Sequence, residues 1–438
     1  MDLLVEPGES LNGEITVPGD KSISHRAVMC ASIASGSSKL KGFLESDDCL
    51  STLDAFKELG VKVSKEEDSI SIQGLGLKGF TPPSKPLYLG NSGTSMRLIS
   101  GILAGQDFES ILTGDESLLK RPMARITEPL NNHGFNLVTE LEGRPPIRII
   151  PSGDFKKIDY QLPIASAQVK SCLMFAALFS SEKSIIKETL VTRDHTERMF
   201  KEFGVDLNVN KANGSSLISL KSPKALKASD INIPGDFSSA SFFILAALIT
   251  PHSHICIKEV GINESRVGFL QALKQMGADI KIDNFQDGNE PKADIEVKYS
   301  ELKSINLDPR LIPNMIDELP SFFIAAAVAE GITIIKGAKE LRFKESDRLA
   351  SMANSLNQFG VKYSISDDDI EIEGIKKNKL FKKAEIDSFG DHRIAMASVV
   401  ASLRSEGACK ILNCSNISTS FPDFLRVSNS IGIRVNTA

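Results

Sequence analysis

Apolar residues along this chain gather in two alternating kinds of stretch. One kind is apolar almost without interruption: "AVMCASIASG", "RLISGILAG", "KSCLMFAAL", "SFFILAALI", "SFFIAAAVA" and "RIAMASVVAS". A helix with no polar face is buried on all sides, so these six segments are predicted as core helices. The other kind is half polar and ends at a glycine followed by alternating residues: "LDAFKELGVKVS", "EPLNNHGFNLVT", "MFKEFGVDLNVN", "ALKQMGADIKID", "SLNQFGVKYSIS" and "VSNSIGIRV". That pattern predicts an amphipathic helix, a left-handed glycine cap, and strands with one face in water.

The two kinds recur in register. The turn residues ahead of the apolar helices are Pro18, Gly90, Pro163, Pro234, Pro313 and Gly390, spaced 72, 73, 71, 79 and 77 residues apart. The glycines after the half-polar helices are Gly60, Gly134, Gly204, Gly277, Gly360 and Gly432, spaced 74, 70, 73, 83 and 72 apart. Two independent landmarks with one period define six copies of a β–α–β–α–β–β unit. Buried helices between half-wet strands predict an α/β fold with helices inside and sheets outside. The last unit is short of strand after Gly432, while "LLVEP" and "GEITVP" precede the first helix. The N-terminus is therefore expected to complete the sixth unit. Three units per domain then places residues 1–19 and 233–438 in a discontinuous domain and 20–232 in an inserted one.

Composition narrows the function. The chain has 438 residues, a net charge of −5, no Trp and four Tyr, which argues against a nucleic-acid surface built on phosphate contacts and stacked aromatics. Its six cysteines are scattered without a CxxC pair, as in a cytosolic protein with buried thiols. No apolar run approaches the ~18 residues of a membrane span, and "MDLLVEPGES" carries acids where a signal peptide has basic residues. The protein is expected to be cytoplasmic. "GLGLKG" resembles a dinucleotide loop, but the prolines of "FTPPSKP" follow it where a helix would have to start. "HSH" at His252 and His254 reads as a surface turn.

Against this acidic background, cations collect where loops enter helices. The starts of the apolar helices carry Lys21, Ser22 and Arg26; Gly93, Thr94 and Arg97; Ser166, Gln168 and Lys170; Asp317 and Glu318; and Asp391, His392 and Arg393. The loops before the half-polar helices carry "GDESLLKRPM", "VTRDHTERM" and "LRFKESDRL". Ser and Asp at such places are ordinary N-caps. Lys and Arg are not, because they oppose the positive end of the helix dipole unless an anion neutralises them. Their repetition points to bound phosphates or carboxylates.

"PGDKSISHR", "LGNSGTSMRL", "GDESLLKRPM", "SAQVKS", "RDHTERM", "PGDFSSASFF", "FKESDRL" and "GDHRIAMA" together resemble the 5-enolpyruvylshikimate-3-phosphate synthase family, in family order over nearly the whole chain. "SAQVK" and "RDHTE" are closer to its second class. The resemblance implies an inside-out α/β barrel of two domains, each a threefold repeat, with the active site in the cleft between them. It implies transfer of the enolpyruvyl group of phosphoenolpyruvate to shikimate 3-phosphate, with no metal or redox cofactor and a monomeric enzyme. Lys21, Ser22, Arg26, Ser166, Ala167, Gln168, Arg193, Asp317 and Lys344 would hold shikimate 3-phosphate. Lys21, Gly93, Arg121, Gln168, Arg348 and Arg393 would hold phosphoenolpyruvate. Lys21, Asp317 and Glu345 would be catalytic, with Asp317 as base and Glu345 as proton shuttle. Thr419 stands before "SFPDF" where first-class members carry a lysine. Two alternatives fit the sequence less well. A UDP-N-acetylglucosamine enolpyruvyl transferase would need a reactive cysteine in "GDESLLKRPM", and the chain has none between Cys49 and Cys172. A non-catalytic anion-binding repeat protein would not need Lys21, Asp317, Glu345 and Arg393 together.

Overall fold

All six landmark glycines lie at positive φ, from 76° at Gly360 to 100° at Gly432. The residue after each returns its N–H to the carbonyl five residues back: Val61 to Phe56, Phe135 to Leu130, Val205 to Phe200, Ala278 to Leu273, Val361 to Leu356 and Ile433 to Ser428, at 2.8–3.2 Å. This is the Schellman closure, in which a left-handed residue lets the chain satisfy the last helical carbonyls and turn out into a strand. The computed structural model describes residues 1–153, 155–376 and 379–438.

The apolar segments form six helices: α1 (Lys21–Ile33), α2 (Gly93–Leu103), α3 (Ala167–Ala177), α4 (Phe237–Ile249), α5 (Leu319–Val328) and α6 (His392–Ser402). Every residue of α4 and α6 is buried, and so are nearly all residues of the other four helices. Among the described residues no helix is long and apolar enough to cross a membrane.

The chain divides into two compact units, Met1–Pro18 with Pro234–Ala438, and Gly19–Ile233. Each has its own apolar core, one built around Phe242, Phe243, Phe322 and Phe323, the other around Phe56, Phe175, Phe200 and Phe203. The described strands form six separate sheets, none of which closes on itself. Each holds a strand that follows a buried helix, paired antiparallel with one arm of a hairpin or, in the last sheet, with the N-terminal Leu3–Val5. In five of them a parallel strand that leads into a buried helix is added. The exception follows α5, where residues 303–306 contribute only single bridges, Lys303 with Glu330 and Asn306 with Ile334.

The N-terminus serves two sheets. Leu3–Val5 lies between Cys409–Leu412 and Val435–Thr437 in the last sheet. Asn12–Thr16 instead pairs in parallel with His254–Gly261, the strand after α4. Correspondingly Ile231–Asn232, which leads into α4 along the chain, pairs with Ala34–Lys41, the strand after α1. Leading strands are thus exchanged where the chain passes between units at 18–19 and 233–234. Pairing to a parallel neighbour depends on hydrogen-bond partners far away in sequence, so no local pattern announces it.

In the Gly19–Ile233 unit α2 and α3 touch backbone to backbone. A Cβ on Gly101 would lie 2.2 Å from the Cys172 carbonyl oxygen. Alanine is a better helix former than glycine by about 1 kcal/mol, so an unconstrained site would gain from Gly101→Ala. Here the substitution is expected to destabilise the protein by about 1–3 kcal/mol through overpacking, read as a lower urea midpoint. A raised midpoint would mean that the helices part at no cost.

Candidate active-site residues

Backbone N–H groups at a helix start have no partner within the helix, and in five of the six buried helices, all but α5, a polar side chain caps them. Asp20 accepts from the Ile23 N–H, Ser92 from Ser95, Ser166 from Val169, Asp236 from Ser238 and Ser239, and Asp391 from Arg393. The hydroxyls and carboxylates at these junctions are caps, Ser166 among them. The cations beside them pair otherwise.

In the Gly19–Ile233 unit, Lys21 opens α1 and its Nζ meets Asp48 Oδ2 at 2.5 Å. One turn on, Arg26 is buried. Its Nη1 donates to the Ser22 carbonyl at 2.9 Å, its Nε to Thr196 Oγ1 at 2.7 Å and its Nη2 to Ser171 Oγ at 2.9 Å. None of these acceptors carries a charge. Burial pulls the guanidinium pKa down to about 10, Glu197 pushes back, and the nearby Arg193 adds to the depression. A buried guanidinium held by uncharged acceptors makes a place where an anion is favoured. Between Lys21 and Arg26, the His25 ring is held neutral, first by burial and then by those two cations. Its Nδ1 lies 2.7 Å from Thr52 Oγ1, which lies 2.6 Å from Ser95 Oγ, so a hydroxyl chain ties α1 to the helix Asp47–Glu58 and to α2.

Gln168, Arg97 and Arg121 form a second group in the same unit. Arg97 Nη1 donates to Gln168 Oε1 at 2.7 Å, and Gln168 Nε2 donates to Thr94 Oγ1 at 2.9 Å. Arg121 Nη2 donates to Asn91 Oδ1, and Asn91 Nδ2 to Asp115 Oδ2 at 2.7 Å. A Cβ on Gly93 would stand 2.8 Å from Arg97 Nη1 and 2.9 Å from Arg121 Nη1. The bare glycine is what lets both guanidiniums close on the start of α2. Ala167 opens α3, and Ser22 and Arg193 are half-buried.

In the other unit the structure brings Asp317, Lys344, Glu345, Arg348 and Arg393 together. Arg348, at the start of the helix Arg348–Gln358, is the centre. Its Nε donates to Asp391 Oδ2 at 2.8 Å, its Nη2 to Asp391 Oδ1 at 3.3 Å and to Glu345 Oε2, and its Nη1 to Asp317 Oδ1 at 3.3 Å. Burial opposes the charge on this guanidinium, but Asp391, Glu345 and Asp317 more than offset it and hold the pKa above its usual value. Lys344 Nζ reaches Asp317 Oδ1 at 3.1 Å, and Arg393 Nη1 donates to the Asp317 carbonyl at 3.2 Å. Thr419 Oγ1 turns inward to the Asn416 carbonyl at 2.7 Å.

Three participants escaped the sequence-based assignment of roles. Asp391 caps α6 and also takes two donors from Arg348; a capping Asp followed by two basic residues was the available signal. Asp48 holds Lys21. Arg97 was visible as a junction cation but received no role, because nothing local shows which way its side chain points.

The model of a known family, described as EPSP synthase (3-phosphoshikimate 1-carboxyvinyltransferase), matches residues 5–427. This chain belongs to the EPSP synthase family. A 3-phosphoshikimate 1-carboxyvinyltransferase of Hydrogenovibrio crunogenus is 46% identical over 434 residues, covering 98% of this chain and 97% of that one. Among solved structures, an EPSP synthase of Acinetobacter baumannii is 43% identical with a TM-score of 0.86, over 99% of each chain. The enolpyruvyl transferase NikO of Streptomyces tendae has a TM-score of 0.79 at 13% identity, a likeness of fold alone. Family membership gives the clustered cations a chemistry, since the EPSP synthase reaction brings two polyanionic molecules together.

Proposed function

We propose that this chain is a transferase moving the enolpyruvyl group of phosphoenolpyruvate to the 5-hydroxyl of shikimate 3-phosphate, with release of inorganic phosphate, on the route to chorismate and the aromatic amino acids. The observation that carries the reading, in a member of this family, is the convergence of Lys344, Arg348 and Arg393 on Asp317 with Glu345 alongside.

The reaction dictates these residue types. The 5-hydroxyl oxygen bonds to C2 of phosphoenolpyruvate, its proton passes to a base, and C3 takes up a proton. The tetrahedral adduct then loses a proton from C3 and phosphate from C2, and the double bond is restored. One group must accept the hydroxyl proton and one must give and take a proton at C3, each contributing about 10²–10⁴-fold. Asp317 is assigned the first role and Glu345 the second, with Lys21 stabilising charge on the departing phosphate. The substrates carry two phosphates and two carboxylates and must be held against mutual repulsion. Lys21, Ser22, Arg26, Ser166, Ala167, Gln168 and Arg193, with Asp317 and Lys344, are assigned to shikimate 3-phosphate. Gly93, Arg121 and Arg393 are assigned to phosphoenolpyruvate with Lys21, Gln168 and Arg348, whose carboxylate partners leave one Nη1 hydrogen to donate.

The same reading takes the six segments as βαβαββ repeats, three to a domain, in an inside-out barrel arrangement. The domains are 1–19 with 233–438, and 20–232. The enzyme is taken to be a cytoplasmic monomer. The test is phosphate release by the purified chain. Release is expected only when shikimate 3-phosphate and phosphoenolpyruvate are both supplied. Release with UDP-N-acetylglucosamine in place of shikimate 3-phosphate, or with phosphoenolpyruvate alone, overturns the reading.

A further inference from the structure

Behind Arg26 lies a group of charges that no step of the reaction uses. Lys170 points from α3 into the interior with no exposed side-chain surface, and its Nζ lies 2.7 Å from Glu197 Oε1 and 3.1 Å from Glu188 Oε1. Both carboxylates are buried as well. Burial raises the pKa of Glu197, although the Lys170 charge pulls the other way.

Such a buried group is a poor device for stability. Desolvating three charges costs about as much as their attraction returns, and apolar side chains of similar size often do as well or better. What the charges do accomplish is to join three separate pieces of chain. Lys170 belongs to α3, Glu188 ends the strand Ser184–Glu188, and Glu197 lies in the helix His195–Glu202. Two of the three have a neighbour that holds Arg26. Ser171 and Thr196, next to Lys170 and Glu197, hold Arg26, and their hydroxyls lie 2.7 Å from each other.

Arg193 lies in the loop between Glu188 and Glu197, bracketed by two anchored residues. On one side, Thr192 donates its N–H (3.2 Å) and its hydroxyl to Glu188 Oε1, while its carbonyl takes Lys170 Nζ at 3.4 Å. On the other, Asp194 is tied to Arg198 at 2.9 Å and to Lys211 at 3.3 Å. The backbone at Arg193 is therefore set by a side chain of α3 acting through Glu188 and Thr192.

We infer that Lys170, Glu188 and Glu197 are positioning residues that set the backbone at Arg193 and the hydroxyls that hold Arg26, so that the two cations present a preformed seat for the phosphorylated substrate. This rests on the reading of the site as one for shikimate 3-phosphate, and its test separates the two. Binding of shikimate 3-phosphate, without phosphoenolpyruvate, is measured by calorimetry for the wild type, Glu188→Gln and Thr192→Val. The KM for phosphoenolpyruvate and the circular dichroism spectrum are recorded alongside. Misplacing a binding group by about 1 Å can cost as much as 10²-fold. The expected result is a Kd for shikimate 3-phosphate raised about tenfold or more in Glu188→Gln and several-fold in Thr192→Val. The KM for phosphoenolpyruvate should change by less than about threefold, and the folded spectrum should be kept. Thr192→Val removes one hydroxyl and no charge, so it carries the test if Glu188→Gln does not fold. A wild type that binds while folded variants bind equally well overturns the positioning role and leaves the site reading intact. A wild type that does not bind shikimate 3-phosphate overturns both.

Discussion

Glu345→Gln is expected to lower kcat by about 10²–10⁴-fold and to leave the affinity for shikimate 3-phosphate within about threefold. Glutamine keeps the length of the side chain and an oxygen that can accept from Arg348 Nη2, so the packing at the start of the helix Arg348–Gln358 survives. It cannot give and take a proton at C3. A loss confined to kcat is the signature of an interaction made only in the transition state. Phosphate-release kinetics measure the loss. Deuterium uptake into the methylene carbon in heavy water locates it, because a missing shuttle slows exchange at C3 together with turnover. If kcat falls less than about threefold, or if exchange at C3 persists while turnover stops, Glu345 is not the shuttle.

The largest effect on stability is expected from Arg348→Met, about 3–5 kcal/mol. Asp391 is fully buried, and Arg348 brings two donors to it while also holding Asp317 and Glu345. Removing one partner of a buried ionic group strands the other, and methionine fills the volume without supplying charge or hydrogen bonds. The measurement is the urea unfolding midpoint, with Lys344→Met as comparison. Lys344 is a quarter exposed and pairs with a carboxylate that Arg348 also holds, so its loss is expected to cost about 1 kcal/mol or less. Equal costs for the two substitutions would refute the central place given to Arg348. Activity should fall in both, because each lets Asp317 move.

The two predictions concern residues that differed in how far the sequence revealed them. Glu345 and Arg348 stand three apart at a helix start, and "FKESDRL" announced them as a charged junction. That Arg348 serves three carboxylates, one of them 43 residues away, could not be read there. The Lys170 group is a sharper case. Lys170 reads as another junction cation, but α3 turns it inward to Glu188 and Glu197, whereas Arg26 is held by two hydroxyls and a carbonyl. Sequence spacing shows which face of a helix a residue occupies and not what lies opposite.

Local chemistry accounts for what the sequence determined by itself. The six core helices follow from runs without a polar face. The six Schellman closures follow from glycine's freedom at positive φ together with contacts no more than five residues long. Caps at the helix starts follow from unpaired N–H groups, and the cations beside them are legible because they depart from capping chemistry. Tertiary structure alone decided the exchange of leading strands between Asn12–Thr16 and Ile231–Asn232, the backbone contact at Gly101, and which of the many cations pair with protein carboxylates. Those choices are made by partners tens to hundreds of residues apart. Their energies depend on distance and burial, and neither exists until the chain has folded.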